Sequence, residues 1–256
     1  MAIGTPYLIA SNVNHSAVNT MVLTAGSVAA GSTGTGHGTV AGDTITVFGS
    51  ATGVADIVTG VTDSQGNTYA AVTGASETTN FSASAWEALN TTALVSGVDT
   101  ITLTYTSALS QAINAIAVGC SGCKTSGAVD IGVSASAVST SPSVSSGTLA
   151  QASEVLFAYV IDTTTGGAIT WSGGWTALAG SVQSGANHIS AAAYQVVSAT
   201  TAVTAGGTIT SATWAILAMS LKAVAGVSPG AGLPAGSAAA GAPVPGVAVP
   251  MAIGGN

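Results

Sequence analysis

DTITVF at Asp43–Phe48 and EVLFAY at Glu154–Tyr159 are the two stretches of this sequence that indicate its fold. Each begins with an acid, continues with β-branched and apolar residues and ends on an aromatic ring, a composition typical of β-strands. They begin at residues 43 and 154, an offset of 111. The same strand pattern at two places predicts a β protein with two related halves.

Further similarities between the halves occur in the same order along the chain. The offsets between matched residues lie between 100 and 108. The matched residues are Tyr69 with Trp175, Trp86 with Tyr194, and Ile116 with Ile216. Strands this rich in Ala, Thr and Val also resemble one another by chance, so chance similarity is the alternative to a duplication.

Alternating and β-branched segments separated by turn residues predict strands along most of the chain, and no segment has the periodicity of an amphipathic helix. The predicted strands are 43–50, 68–73, 83–90, 100–106, 112–119, 129–138, 154–163, 168–171, 189–197, 207–210 and 213–222. The turn Asp63–Asn67 predicts a hairpin with Tyr69 leaving it, because Asp closes an Asx-turn and Gly or Asn accepts a positive φ. The predicted class is all-β, an antiparallel β-sandwich of jelly-roll or immunoglobulin-like type with an internal duplication.

The chain divides into three parts by composition. Residues 1–38 form a Gly/Ser/Thr/Asn-rich N-terminal arm, 39–225 the β-sandwich with repeats at about 39–123 and 150–225, and 226–256 a Pro/Gly/Ala-rich tail. Proline prevents regular strand pairing in the tail. The tail is either a disordered linker or, because its apolar end lacks charge, a segment that docks on a neighbouring subunit. Met251 and Ile253 are then candidate partner contacts.

Charged residues are scarce: 2 Lys+Arg and 9 Asp+Glu make 4% of the chain, with a formal net charge of -7. An ordinary soluble protein has roughly 25%. Hydroxyl, amide and backbone groups must solvate the surface, or neighbouring molecules must cover it. Nucleic acid is excluded as a partner because its binding requires several Lys or Arg. No apolar run reaches the roughly 18–20 residues of a membrane-spanning helix.

The beginning of the chain lacks the cationic start and apolar run of a secretory signal, which predicts synthesis in a host cytoplasm. The Ser/Thr/Gly-rich composition is nevertheless typical of proteins that work outside cells. A virion protein reconciles the two, because lysis releases it.

Val61–Tyr69, Ser84–Trp86 and Val98–Leu103 together resemble a family of β-sandwich proteins found among actinobacteriophage virion proteins and bacterial surface proteins. The resemblance covers roughly residues 40–225 and neither the arm nor the tail. It implies a jelly-roll or immunoglobulin-like sandwich with a decoration, minor tail or fibre role. It implies no catalytic residues.

Cys120 and Cys123 have the spacing of a redox pair or of half a zinc site. Three interpretations are open: inert thiols at a strand end, a local disulfide, and a metal site. The three histidines, His15, His37 and His188, have no ligand-like spacing. We therefore expect no metal and no cofactor.

Trp171 and Trp175, separated by glycines, are the aromatic pair that could stack on a sugar, with Asp63 and Asn67 as further candidate contacts. The alternative is that both rings pack in the core. The GVSPG segment at residues 226–230 matches a nucleophile elbow, but Pro229 lacks the N–H that an oxyanion hole needs.

The sequence thus predicts a non-enzymatic bacteriophage virion protein, a capsid decoration or minor tail or fibre component. Its expected partners are other virion proteins, such as the major capsid or tail proteins, and further copies of itself as a homo-oligomer. The alternative is a carbohydrate-binding adhesin that binds a host-surface glycan. A hydrolase with dispersed carboxylates is the third hypothesis.

Overall fold

Every helix or strand assigned in the described part of the computed structural model is a β-strand. The structure describes residues 2–16, 18–30, 32, 34–106, 113–163, 169–178 and 188–225, together with the backbone of 183–184. The first half contains β1 (Tyr7–Asn14), β2 (Thr20–Thr24), β3 (Thr44–Ala51), β4 (Val58–Asp63), β5 (Ala70–Glu77), β6 (Ser82–Ala88), β7 (Thr100–Tyr105) and β8 (Ile113–Cys120). The second contains β9 (Val129–Ser139), β10 (Ser143–Ser145), β11 (Glu154–Asp162), β12 (Thr170–Trp171), β13 (Thr176–Ala177), β14 (Gln183–Ser184), β15 (Ile189–Val197), β16 (Thr204–Thr208) and β17 (Ala212–Lys222).

Each half is a two-layer antiparallel sandwich. In the first half, a five-stranded sheet in the order β1-β8-β3-β6-β5 faces a three-stranded sheet in the order β2-β7-β4. The order 1-8-3-6 opposite 2-7-4 is that of a jelly roll, except that the fifth strand pairs with the sixth. Six of the seven connections along this half therefore cross between its two sheets, and β5-β6 alone is a hairpin.

The second half repeats this order strand by strand. Its larger sheet runs β9-β17-β11-β15-β13, with β14 also paired to β15, and its smaller sheet runs β10-β16-β12. Thus β9 takes the place of β1, β11 that of β3, β15 that of β6 and β17 that of β8. The predicted fold class, an antiparallel all-β sandwich with two similar halves, is confirmed.

The strand pairing shows that two of the matched pairs are each wrong by one residue. Ile116 faces the core between the halves whereas Ile216 faces the opposite side of its sheet, and Trp86 and Tyr194 differ in the same way. Because side chains alternate across a strand, a one-residue error reverses the face. Tyr69 and Trp175, in contrast, both contact the outer core of their own half.

The two larger sheets pack face to face and form a central core between the halves. Phe48 of β3 stacks on Tyr159 of β11, with the ring centroids 5.2 Å apart and the planes 2° from parallel. The opposite faces of these sheets cover two outer cores under the three-stranded sheets. The strands β3, β8 and β11 are consequently buried at every position. This explains their nearly continuous apolar sequences, which strands buried on both faces require.

Polar side chains inside the central core also join the halves. The hydroxyls of Ser50 and Tyr159 lie 2.6 Å apart, and Asn114 Nδ2 donates to Ser190 Oγ at 3.1 Å. All four residues are buried. Since a buried polar group without a partner is costly, these contacts favour one alignment of the two sheets.

At one edge of the central core, strand β5 lies against β9. Ser134 Oγ donates to Ser76 O at 2.6 Å. Gly74, with φ +84°, approaches Gly132 so closely that a Cβ on Gly74 would meet the Gly132 carbonyl group. Glycine at both positions therefore allows the two backbones to come together.

Two sequence predictions differ from the structure. The predicted arm, 1–38, contains β1 and β2, which are strands of the two sheets of the first half. The Asp63–Asn67 turn forms as expected, but it connects β4 to β5, which lie in different sheets, so it is not a hairpin. Turn chemistry fixes the local bend, whereas partners distant in sequence fix the pairing. The predicted tail, 226–256, with Met251 and Ile253, lies outside the described residues.

His188, which directly precedes β15, makes stability depend on pH. The side chain is fully buried, and neither ring nitrogen has a hydrogen-bond partner among the described residues. Burial, with a smaller contribution from His15, lowers the pKa of His188 to about 4. The unfolded state then binds more protons than the folded state between about pH 6.5 and pH 4. The contribution of the neutral His188 side chain to the free energy of unfolding is therefore fully present above this window and is lost as pH falls through it.

We predict that His188→Leu removes most of this acid dependence. Urea unfolding measures the free energy of unfolding at pH 7 and at pH 4. Between these two pH values the wild type should lose up to about 3 kcal/mol more than the variant, which is the free energy that corresponds to the pKa shift. His37→Leu is the control, because His37 is exposed. Equal acid sensitivity in wild type and His188→Leu would contradict the assignment.

Candidate functional site

A cleft of about 550 Å³ opens at the end of the molecule where β3 begins and β8 and β17 end. Its lining combines aliphatic surface with a carboxylate, a phenol and a thiol. The residues that line it are Tyr7, Val40, Ala41, Gly42, Asp43, Asn90, Ser121, Gly122, Cys123, Thr125 and Val224. An apolar cleft with a few converging polar groups is the usual form of a ligand site.

Asp43 organises one wall of this cleft. Its Oδ2 accepts a 2.6 Å hydrogen bond from the Tyr7 hydroxyl and a 3.0 Å bond from the backbone N–H of Val40. Burial and the neighbouring carboxylate raise the pKa of Tyr7 well above its ordinary value. Tyr7 is therefore a hydrogen-bond donor at neutral pH and not a base.

Asn90 supports the same wall with an unusual backbone. It has φ 52°, the one positive φ at a non-glycine residue in the described chain. Asparagine tolerates this left-handed conformation better than most residues. Next to it, Thr91 N–H donates to Asp43 O, and Gly42 N–H donates to Thr91 O, so the end of β6 and the start of β3 are tied together.

Exposed valines surround this end of the molecule. Val40 is 69% exposed and Val98 is 71% exposed. Val98 lies in a turn that begins at Val95, which is also exposed. The two segments are adjacent, because Thr39 N–H donates to Leu94 O at 2.9 Å. Val224, on the far wall of the cleft, is also exposed. We call Val40, Val95, Val98 and Val224 the valine patch.

The predicted sugar-binding pair lies elsewhere, in the second half. Trp175 is buried, and its indole N–H donates to Thr204 O at 2.9 Å. Trp171 is half-buried, and the two ring centroids lie 6.1 Å apart at 31°. Both rings contact the outer core of the second half, so Trp171 alone retains a surface that a sugar could reach.

Asp63 and Asn67, the other predicted ligand contacts, are occupied within their own turn. Asp63 accepts hydrogen bonds from the backbone N–H groups of Gln65 and Asn67, from the Asn67 side chain and from the Tyr69 hydroxyl, at 2.8 to 3.0 Å. Asn67 also accepts from Thr92 N–H at 2.7 Å. The structure brings these two residues together as a structural turn, far in sequence from Trp171.

Asp99 has a similar role beside that turn. It accepts from the Ser64 hydroxyl at 2.6 Å, from Val95 N–H at 2.7 Å and from Gln65 Nε2 at 2.9 Å. These hydrogen bonds, that of Ser64 foremost, lower the pKa of Asp99. The carboxylate therefore joins two turns at the same end of the molecule as the valine patch.

The other buried acids lie mainly in the second half. Glu154 is fully buried, and burial raises its pKa. Lys222 Nζ lies 3.6 Å from Asp130 Oδ1 and donates to Val129 O at 3.0 Å. Among the described residues, no three His, Cys, Asp or Glu side chains are grouped to hold a metal ion.

The cleft and the valine patch were not predicted from the sequence. Four segments distant in sequence form them, at residues 7, 40–43, 90–98 and 121–125, with Val224 beside them. Asp43 begins the stretch that indicates the fold, yet its sequence neighbours do not reveal Tyr7 as its partner.

Comparison with known proteins gives no relative: no protein-family model, no curated protein and no solved structure matches the chain. No helix in the described part of the chain has the length and apolarity of a membrane span.

We predict that Asp63→Ala destabilises the fold by about 2 kcal/mol, because four donors lose a charged acceptor. Asp63→Asn should cost less, since its carbonyl oxygen still accepts the two backbone N–H bonds. Glu77→Ala is the control, because Glu77 accepts a turn hydrogen bond from Thr79 N–H and none of the four donors to Asp63. The midpoints of urea unfolding measure these losses in stability, provided that the dependence of the unfolding free energy on urea concentration is the same in each variant. Equal losses for Asp63→Ala and Glu77→Ala would contradict this role.

Proposed function

We propose that this protein is a non-enzymatic structural component of a bacteriophage virion, a capsid decoration or a minor tail or fibre protein that works through protein–protein contact. The observation that carries the proposal is the placement of charge. Of the 2 Lys and 9 acids, five are buried and six are half-buried, so no charged side chain is fully exposed. The buried ones are Asp43, Asp56, Asp99, Glu154 and Asp162.

A surface of this kind favours association. Charged side chains normally keep proteins apart in solution, and their depletion is typical of the centres of protein interfaces. The outside here consists of hydroxyl, amide, backbone and small apolar groups, and it includes the valine patch. Such a surface loses little on being covered, because few ions must be desolvated.

The valine patch is the part of this surface that we propose as a contact with other virion proteins or with further copies of the chain. Burial of its aliphatic side chains in a contact would stabilise the complex by roughly 25 cal/mol per Å² of apolar surface removed from water. The neighbouring cleft offers Asp43 and Asn90 as polar groups that could orient a partner chain.

A glycan-binding role is the alternative, supported by the half-buried ring of Trp171 beside Gly173 and Gly174, both of which have positive φ. In that case Trp171→Ala should abolish binding to a glycan array while leaving the fold intact. A wild-type protein that binds no glycan removes this alternative.

Mass spectrometry and labelled-antibody microscopy of purified particles test the proposal directly. We expect the chain in intact particles at a constant copy number, at a defined place on capsid or tail. Recovery of the chain only in the soluble fraction of lysed cells would overturn the proposal.

We predict that replacing Val40, Val95 and Val98 with Asp weakens association at least tenfold, because three charges would have to be buried in the contact. Sedimentation velocity over a concentration series measures self-association, and particle pull-down measures attachment. Val138→Asp is the matched control, because Val138 is 70% exposed on strand β9 of the other half. An unchanged association in the triple variant would exclude the valine patch as the contact.

A further inference from the structure

Cys120 and Cys123 lie where the ends of the two central sheets are joined. Cys120 is the last residue of β8, and Cys123 forms an isolated antiparallel bridge with Ala223, just after β17. The same turn is held by two more hydrogen bonds, from Lys124 N–H to Lys222 O and from Val224 N–H to Gly122 O, both at 2.9 Å. The cysteine turn therefore connects the first half to the second.

The turn geometry brings the two thiols together. Gly122 has φ +80°, and a Cβ there would meet the backbone of Ala2 and Ile3, so glycine is required at this position. The Cys120 thiol donates to Ser121 O at 3.4 Å and to Gly4 O at 3.7 Å, and it lies close enough to the Cys123 thiol for each to shift the pKa of the other. A disulfide needs sulfurs about 2 Å apart on Cα atoms within about 7 Å, which a four-residue turn with contacting thiols can approach by side-chain rotation.

The two thiols differ in surroundings. Both thiols are buried in the central core, Cys120 at 1% exposed and Cys123 at 5%, but of the two Cys123 alone lines the 550 Å³ cleft. Hydrogen bonds from the Cys120 thiol and the Thr44 hydroxyl lower the pKa of Cys123, against burial and the Asp43 carboxylate, which raise it. The hydrogen bond to Cys123, together with burial, raises the pKa of Cys120.

We propose that Cys120 and Cys123 are a thiol-disulfide exchange site for small disulfides such as oxidised glutathione, in which Cys123 reacts first and Cys120 closes the internal disulfide. The cleft gives a small disulfide access to Cys123 alone. Cys120 needs no access to solvent, because its target is the neighbouring Cys123 sulfur. This proposal does not depend on the role in a virion.

The chemistry balances in two steps. The Cys123 thiolate attacks one sulfur of oxidised glutathione, which forms a mixed disulfide and releases one glutathione thiolate. Cys120 then attacks the Cys123 sulfur, its proton passes to the departing second glutathione, and the Cys120–Cys123 bond forms. Two protein thiols are oxidised and one glutathione disulfide is reduced to two thiols.

The internal disulfide closes a ring of only four residues, so it constrains the unfolded chain little and should change global stability little. Its effect should be local to the cysteine turn and the cleft wall. Two backbone N–H groups report on this turn: that of Lys124, which donates to Lys222 O at the end of β17, and that of Val224, which donates to Gly122 O. Their exchange should slow several-fold on oxidation.

The test uses the full chain, reduced and then treated with oxidised glutathione under native conditions, followed by mass spectrometry of the intact protein and its peptides. We expect the wild type to lose two hydrogens and to retain no glutathione. Cys120→Ser should accumulate a mixed disulfide at Cys123, whereas Cys123→Ser should remain at least tenfold less modified. When they are unfolded in denaturant, the two variants should react with oxidised glutathione to the same extent. This control shows that the reagent is active and that the difference in the native state comes from the fold.

Two results would overturn the proposal: native wild type that stays fully reduced while its unfolded form reacts, or Cys123→Ser that is modified as fast as Cys120→Ser. If a serine variant fails to fold, limiting iodoacetamide on the native wild type gives the same answer. The first alkyl group should then map to Cys123, and mapping to Cys120 would contradict the order.

Discussion

The packing of the two larger sheets against each other is the constraint on which the rest of the molecule depends. Each sheet contributes one whole face to the central core and the other face to an outer core, so strands such as β3 and β11 have no side exposed to water. The stacked rings of Phe48 and Tyr159 form part of this contact. Because ions are costly in such an interior, the central strands exclude charge almost completely.

The same constraint explains how the few acids are used. Asp43, Asp63 and Asp99 lie at strand ends, where each accepts hydrogen bonds from backbone N–H groups of the adjoining turns. Carboxylates thus hold the turns between sheets in place and are not distributed over the outside. The outer surface is left with hydroxyl, amide and apolar groups.

Several of the central strands could be predicted from the sequence, because their runs of β-branched and apolar residues indicate a strand without knowledge of its partners. The segments 43–50, 154–163 and 189–197 were predicted within one or two residues of β3, β11 and β15. Strands β1 and β2 were assigned to an arm, because their Asn, Ser and Thr residues look like a loop until the partners β8 and β7 are known. The hairpin at Asp63–Asn67 was wrong for a related reason, since its hydrogen bonds specify a bend and not the sheet that each strand joins.

The candidate site was less predictable than the fold. Trp171 and Trp175 do lie together, as their spacing suggested, but the Trp175 ring is committed to the core. The cleft and the valine patch combine loops from both ends of the sequence, and pairing distant in sequence is not visible in any one segment. The CxxC spacing is visible in the sequence, whereas only the structure shows that Cys123 lines the cleft and Cys120 does not.

Because the two jelly-roll halves share one core, we expect them to unfold as one cooperative unit. Native-state hydrogen exchange at increasing denaturant measures this most directly, by comparing amides in β3 and β8 with those in β11 and β17. We expect the most protected amides of both halves to exchange with the same free energy, that of global unfolding. Exchange of the second half at a lower free energy, while β3 and β8 stay protected, would contradict it.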